Sequence, residues 1–257
     1  MSQQNVLAPP DPLPDQGVSL LLDLDGTIAP IMPRPHDVAP SAARTALMIR
    51  LRERLGGRLA IVSGRTIAEV DRVLQGAVTA VAGVHGLERR TADGRLERAR
   101  PDPALDLVRA ELPDLLARHP GLITEDKGLS VTIHFRSVPD AGPAVTALAR
   151  ALAARTDLVL QPGDTVAELR GPGAGKGEAI RAFMQEAPFA GTRPIFLGDD
   201  QTDEDGFAAV RALGGVGVLV GPARRTRATR RLASVDAVMD WLSAAAPETA
   251  MSGNLAT

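Results

Sequence analysis

The chain has 257 residues, 44% hydrophobic and 23% charged, with a formal net charge of -2. This ordinary globular balance excludes a disordered chain and gives no electrostatic footing for nucleic acid or an anionic membrane as partner. Cysteine is absent, so disulfides, thiolate metal sites and a cysteine nucleophile are excluded, as fits a reducing compartment. Aromatic residues are only 2%, which leaves Leu, Val, Ile and Ala to build the core.

Residues 1–16 lack the basic start and apolar run of a signal peptide, and their Pro, Gln and Asp predict a disordered leader. No apolar stretch approaches membrane-spanning length, so a cytoplasmic monomer with no membrane partner is the default expectation. Val18 to Asp23 reads as a strand buried on both faces, as in a parallel sheet. A helix follows Pro40, with Leu47, Leu51 and Leu55 four apart and Gly56-Gly57 stopping it. Leu59 to Ser63 is a second buried strand. Thr66-Ile-Ala-Glu69 is a capping-box pattern opening a helix that ends near Gly76. Val78 to Ala82 reads as a third strand. Strands alternating with helices over short links predict a doubly wound α/β core.

The pattern then changes. Leu87 to Ala99 predicts a polar hairpin around Asp93-Gly94. A helix carrying Leu105, Val108, Leu112 and Leu115 should be kinked or shortened by Pro113. From Leu129 to Arg136 apolar and polar residues alternate strictly, predicting a strand with Ser130, Thr132, His134 and Arg136 on its open face. A helix with Val145, Leu148 and Leu152 follows, then two short strands around Pro162-Gly163. Residues 88–167 are therefore expected to form an inserted α+β cap domain, with 17–87 and 168–246 as the discontinuous core. Core patterning resumes with a helix at Lys176, a buried strand from Pro194 to Gly198, a helix opened by Thr202, a strand from Val216 to Val220, and a helix with Val238, Trp241 and Leu242. Residues 247–257 are expected to fray.

Acidic residues gather at predicted strand ends. Asp23-Leu-Asp25-Gly26-Thr27 ends the first strand, at the edge where open parallel sheets bind ligands. Its two-residue spacing puts both carboxylates on one side, and Gly26 lets the backbone turn away. An acidic turn with Asp25 as a helix cap is the plain alternative. Asp199-Asp200-Gln-Thr-Asp203-Glu-Asp205 follows another buried strand. Thr202-x-x-Asp205 matches a capping box, which accounts for Asp205 but not for Asp199 and Asp200. Carboxylates collected at one edge repel unless a cation offsets them, and all-oxygen ligands favour Mg²⁺ over zinc. Ser63-Gly64-Arg65 precedes a capped helix and can hold an anion through its hydroxyl and backbone N–H groups, or be an ordinary strand end. Lys176 opens a helix after a Gly-rich stretch; Gly177 stands where a nucleotide-binding P-loop needs Ser or Thr, so that motif is excluded. A solvated surface lysine is its alternative. The arginine-rich stretch at 224–231 lacks aromatic interleaving and reads as a solvated helix face.

In order, Asp23-x-Asp25-Gly-Thr, Ser63, Lys176 and Gly198-Asp199-Asp200 resemble the four motifs of the haloacid dehalogenase superfamily. Within it the chain resembles the trehalose-6-phosphate phosphatases from about Val18 to about Leu242, through Ser63-Gly-Arg65, Glu125-Asp-Lys127-Gly, His134-Phe-Arg136, Val166-Ala-Glu168-Leu-Arg170, Lys176-Gly177 and the acidic run from Gly198 to Asp205. The resemblance implies Mg²⁺-dependent hydrolysis of a small-molecule sugar phosphate, in trehalose biosynthesis. Asp23 would be the nucleophile and Asp25 the general acid and base. The ion would be held by the Asp23 side chain, the Asp25 carbonyl and Asp199, with Asp200 and Asp203 behind them orienting bound water or Lys176. Ser63, with Gly64 and Arg65, would hold phosphate, and Lys176 would offset charge on the nucleophile and phosphoryl oxygens. Glu125, Lys127 and Glu168 would take the sugar, with His134 and Arg136 ranked below them. Gly83-Val-His-Gly86 departs from the usual pattern, so little weight falls on His85. A sucrose-phosphate or mannosyl-phosphoglycerate phosphatase, a phosphomutase and a non-catalytic sugar-phosphate sensor remain open alternatives.

Overall fold

A computed structural model describes residues 7–247, apart from 164 and 174. The core is an eight-stranded sheet. Its six parallel strands are β1 (Val18–Leu22), β2 (Leu59–Val62), β3 (Ala80–Gly83), β10 (Arg193–Gly198), β11 (Val216–Val220) and β12 (Arg230–Leu232). From β1 the chain adds β2 and β3 on one side, then returns to place β10 on the other. This reversal creates a crevice at the carboxyl ends of β1 and β10, the usual ligand position in such sheets.

Burial on both faces follows from alternation along each strand. Leu20 and Leu22 of β1 pack with α1 (Ala42–Arg54), α2 (Ile67–Leu74) and α7 (Val235–Ala245), through Leu47, Leu51, Val70, Val73, Val238 and Leu242. Leu21 points the other way, into Ile180 and Phe183 of α5 (Lys176–Phe183) and Phe207 and Val210 of α6 (Glu204–Ala212). Thr66 forms the expected capping box with Glu69. Four of the chain's five phenylalanines, Phe183, Phe189, Phe196 and Phe207, lie in this second layer, which is how so few aromatics fill it.

The second sheet is four-stranded and antiparallel, in the order β6 (Ile123–Asp126), β7 (Ser130–His134), β9 (Val166–Arg170), β8 (Val159–Gly163). One face packs on α3 (Leu105–Arg118) and α4 (Gly142–Ala154) through Val131, Ile133, Ala167 and Leu169. On the other, the register aligns Glu125, Thr132 and Glu168 in one polar row across three strands.

Several expectations are corrected. The polar hairpin, β4 (Glu88–Arg90) and β5 (Leu96–Arg98), pairs with β3 and extends the main sheet, so the separate sheet begins only at β6. Helix α3 runs 14 residues and continues past Pro113, so the proline does not shorten it. Its apolar face, Leu105, Val108 and Leu115, is fully packed on the small sheet, and that burial outweighs one missing backbone bond. Within the leader, residues 7–16 lie against the core: Leu13 is buried, Trp241 donates to the Asp11 carbonyl, and the Arg231 N–H donates to the Ala8 carbonyl. Residues 1–6, and all but the first of the expected frayed tail, fall outside the described residues. Among the described residues, no helix is long and apolar enough to cross a membrane.

Candidate active site

Asp23 follows β1 directly, and its N–H is fixed by the Leu197 carbonyl of β10 at 2.9 Å. The residue is 4% exposed. Lys176, the first residue of α5, donates to Asp23 Oδ1 at 2.8 Å and to Asp203 Oδ1 at 2.7 Å. The surface alternative for Lys176 therefore fails: it is a buried bridge between two acidic segments. Asp203 Oδ2 accepts the N–H groups of Asp199 and Asp200, both at 3.0 Å. With both oxygens engaged, Asp203 holds the turn that carries Asp199.

The close approach of the two acidic segments depends on a missing side chain. Gly26 has φ +77°, and a Cβ there would come within 2.1 Å of Asp199 Oδ2. Ligand oxygens of Asp23, Asp199 and Asp203 lie within 4.8 Å of one another. Burial pushes the Asp23 carboxyl well up, the Lys176 ammonium opposes this, and Asp203 and Asp199 push it further. Burial, then Asp203, pushes Asp199 up to about 7. Burial alone would lower Lys176, but Asp203 and Asp23 raise it, so it stays charged. An all-oxygen set whose members resist ionising together fits a hard divalent cation such as Mg²⁺.

Asp25 is placed differently. Its two oxygens accept from Arg65 Nε at 2.6 Å and Nη2 at 2.8 Å, a bidentate fork that turns the carboxylate away from Lys176. Arg65, expected on the phosphate, is thus held by Asp25, with Glu69 at 3.7 Å. Ser63 Oγ accepts the Arg65 N–H at 3.2 Å, leaving its hydroxyl proton free to be donated.

The polar face of the small sheet reaches this edge. Lys127 Nζ donates to the Gly64 carbonyl at 2.9 Å and lies 3.5 Å from Glu168 Oε1. His134 Nε2 is 3.3 Å from Glu125 Oε2. Arg136 stands apart, exposed in the turn after β7, because the strand ends at His134 and the alternation does not carry further.

The acidic run resolves into separate jobs. Asp200 caps the 3-10 turn Gln201–Asp203 in a capping box with Asp203, so the expected Thr202 cap is corrected by two residues. Asp205 accepts the Gly177 N–H at 2.8 Å and so satisfies a free donor at the start of α5, not of its own helix. Arg224 was missed: it donates to the Asp199 and Asp200 carbonyls, at 3.2 and 2.8 Å, and pairs with Glu204. It comes from a loop, correcting the expected solvated helix, and nothing in its local spacing marks it. His85, buried between Gly64 and Glu168, was undervalued as well.

A doubly wound sheet with these carboxylates at its reversal point, beside a second domain presenting polar residues, defines the class of haloacid-dehalogenase-type phosphatases. A family profile described as Trehalose-phosphatase matches residues 21–236. The Escherichia coli (strain K12) trehalose-6-phosphate phosphatase is 41% identical over 223 residues, spanning 86% of this chain and 83% of that protein. A solved trehalose-6-phosphate phosphatase related protein superposes with a TM-score of 0.71 at 27% identity, over 88% of this chain and 96% of its own. The C-terminal domain of the C. albicans trehalose-6-phosphate phosphatase shares the fold, with a TM-score of 0.80 at 21% identity over 90% and 92% of the two chains. The chain belongs to the trehalose-phosphatase family.

Proposed function

We propose that this chain hydrolyses trehalose 6-phosphate to trehalose and phosphate, in a Mg²⁺-dependent reaction through a phosphorylated Asp23. The observation that carries the reading is the buried Asp23–Lys176–Asp203 bridge with Asp199 beside it, at the sheet's reversal point. Phosphate monoesters resist hydrolysis so strongly that known accelerations reach ~10²¹-fold, which demands positioning and charge neutralisation at the transferring group.

Asp23 and Asp199 would hold Mg²⁺ together with the Asp25 backbone carbonyl. The ion would supply positive charge at the phosphoryl oxygens. Lys176 pins Asp23 Oδ1, so the other oxygen, which has only a 3.5 Å contact from Thr27 Oγ1, is available to attack phosphorus. The Asp23 O–P bond forms while the bond from phosphorus to the sugar oxygen breaks. Asp25 gives its proton to the departing oxygen, which requires one of its oxygens to leave the Arg65 fork. Water then attacks the phosphoryl group, Asp25 takes its proton, and the Asp23 O–P bond breaks to release phosphate. Ser63 Oγ, whose proton is uncommitted, donates to one of the anion's oxygens; the N–H groups of Thr66, Ile67 and Glu69 that open α2 are already given to Glu69, Glu88 and Thr66.

Glu125, Lys127 and Glu168 would hold the disaccharide hydroxyls. The row that Glu125 and Glu168 form with Thr132 on the open face of the small sheet, with Lys127 3.5 Å from Glu168, supports this assignment. A panel of sugar phosphates, assayed for phosphate release with and without a chelator, tests the reading. Turnover of trehalose 6-phosphate well above sucrose 6-phosphate and glucose 6-phosphate, abolished by chelation, is the expected result. Equal rates across the panel would remove the substrate assignment, and chelator-resistant turnover would remove the ion.

A further inference from the structure

After β3 the backbone enters the left-handed region at two successive non-glycine residues, Val84 (φ 47°) and His85 (φ 55°). A β-branched residue there is an outlier, and each such residue costs roughly 1–3 kcal/mol unless its surroundings hold it. The surroundings are the phosphate turn and the small sheet's domain. The Val84 N–H donates to the Arg65 carbonyl at 2.8 Å and the His85 N–H to the Ser63 carbonyl at 2.9 Å. With Lys127 on the Gly64 carbonyl, all three carbonyls of Ser63-Gly64-Arg65 are engaged. The Val84 side chain is fully buried against Leu87 and Leu129, the latter just before β7.

The strain puts the His85 ring in one place. Its Nε2 lies 3.1 Å from Glu168 Oε2, and a Cβ on Gly64 would come within 2.7 Å of that nitrogen, so the ring needs the glycine beside it. Both partners are buried, His85 6% and Glu168 6% exposed. Burial lowers the imidazole's affinity for a second proton, against the pull of Glu168; burial would raise Glu168, but Lys127 and His85 hold it low. A neutral ring facing an ionised carboxylate must carry its single proton on Nε2. Glu168 Oε1 is buried with the Lys127 ammonium 3.5 Å away as its ion-pair partner and no full hydrogen bond, so a sugar hydroxyl could still donate to it.

We propose that His85 is a positioning residue for the sugar: from the strained turn beside the phosphate site it holds Glu168 Oε2, aiming Oε1 at the disaccharide and fixing its distance from the phosphate. This deepens, and rests on, the trehalose 6-phosphate reading. A residue acting through Glu168 must lose its effect when Glu168 is already altered.

Steady-state kinetics on trehalose 6-phosphate with His85→Ala, His85→Gln, Glu168→Gln and the double variant His85→Ala/Glu168→Gln test this. His85→Ala should raise KM about tenfold and change kcat less, as loss of a buried hydrogen bond to a charged group implies. His85→Gln, which can return an N–H near the Nε2 position, should stay within about threefold of wild type. In the Glu168→Gln background the alanine substitution should add less than about twofold. An equal KM effect in both backgrounds, or none in either, overturns the proposal. Nitrogen-15 spectra of the four histidines, in the wild-type chain and in Glu168→Gln, give a readout independent of turnover. One ring must be neutral with its proton on Nε2, and its signal must move on Glu168→Gln; an Nδ1-protonated ring, or a signal that does not move, overturns it too. Should the wild type release no phosphate from trehalose 6-phosphate, the functional reading fails, while the spectra still decide the His85–Glu168 contact.

Discussion

Replacing Lys176 with methionine removes the one ammonium between Asp23 and Asp203 while keeping a side chain of similar reach. Lys176 and Asp23 are each 4% exposed and Asp203 is fully buried, so water cannot take the lysine's place without opening the site. Removing one partner of a buried ion pair costs about 3–5 kcal/mol, because the charge left behind is uncompensated. For a chain of this length each kcal/mol lowers Tm by about 2–4 °C, so the chelated variant should melt about 6–20 °C below wild type. Mg²⁺ should narrow that gap, since the variant's carboxylates bind the ion without competition from the lysine. Turnover should fall at least about 100-fold, the scale for losing a group that stabilises developing charge. Differential scanning fluorimetry in chelator and in Mg²⁺, with phosphate-release kinetics, measures all three. A chelated variant melting within about 2 °C of wild type would refute the reasoning, because the carboxylates would then coexist without the lysine.

Asp23→Asn should lower kcat by on the order of 10⁴ or more and leave no acid-stable phosphoenzyme after quenching with labelled substrate, while keeping the wild-type fold by circular dichroism. Gly26→Ala forces a Cβ to within 2.1 Å of Asp199 Oδ2 at φ +77°; calorimetric titration should show Mg²⁺ affinity falling at least about tenfold. Asp199 is pushed up to about 7 from an ordinary value of 3.8, so the native state binds its proton more tightly than the unfolded chain does. Its stabilising contribution in chelator is complete below about pH 4 and is lost as pH rises through about 7, so the chelated Tm should fall across that window. Mg²⁺ needs the ionised carboxylate, and its stabilising effect should be larger at about pH 8 than at about pH 5.5.

What could be read from the sequence follows from how local each signal is. A strand buried on both faces announces itself in Val18 to Leu22, and the carboxylates that end such strands inherit their position from them. The alternation through β7 likewise located the polar face that meets the core. The hairpin after β3 looked polar enough for the insertion because its exposed edge is polar, yet its partner is decided by β3, across a left-handed turn no pattern predicts. The Pro-rich leader has the composition of a disordered segment, but prolines already fix its backbone, and one buried leucine with two backbone carbonyls suffices to dock it. Arg224 and His85 act on groups 24 and 83 residues away, so neither is visible from its own neighbours.

The charges themselves explain why these distant parts must meet. Three carboxylates, Asp23, Asp199 and Asp203, surround one ammonium, so 1 − 3 leaves two negative charges in a buried volume when all are ionised. Burial and the neighbouring carboxylates push Asp23 and Asp199 up, so without a further cation protonation is favoured there. A divalent ion balances that excess, whereas a monovalent one leaves half of it. An arriving phosphate would add negative charge for the ion and Lys176 to offset, with the uncommitted Ser63 hydroxyl proton as a further donor. The Ser63 turn that carries this hydroxyl is held by its own carbonyls, which are committed to Val84, His85 and Lys127. One of the three donors, Lys127, comes from the domain that carries the polar row, so separating that domain would free the Gly64 carbonyl and break the His85–Glu168 contact together.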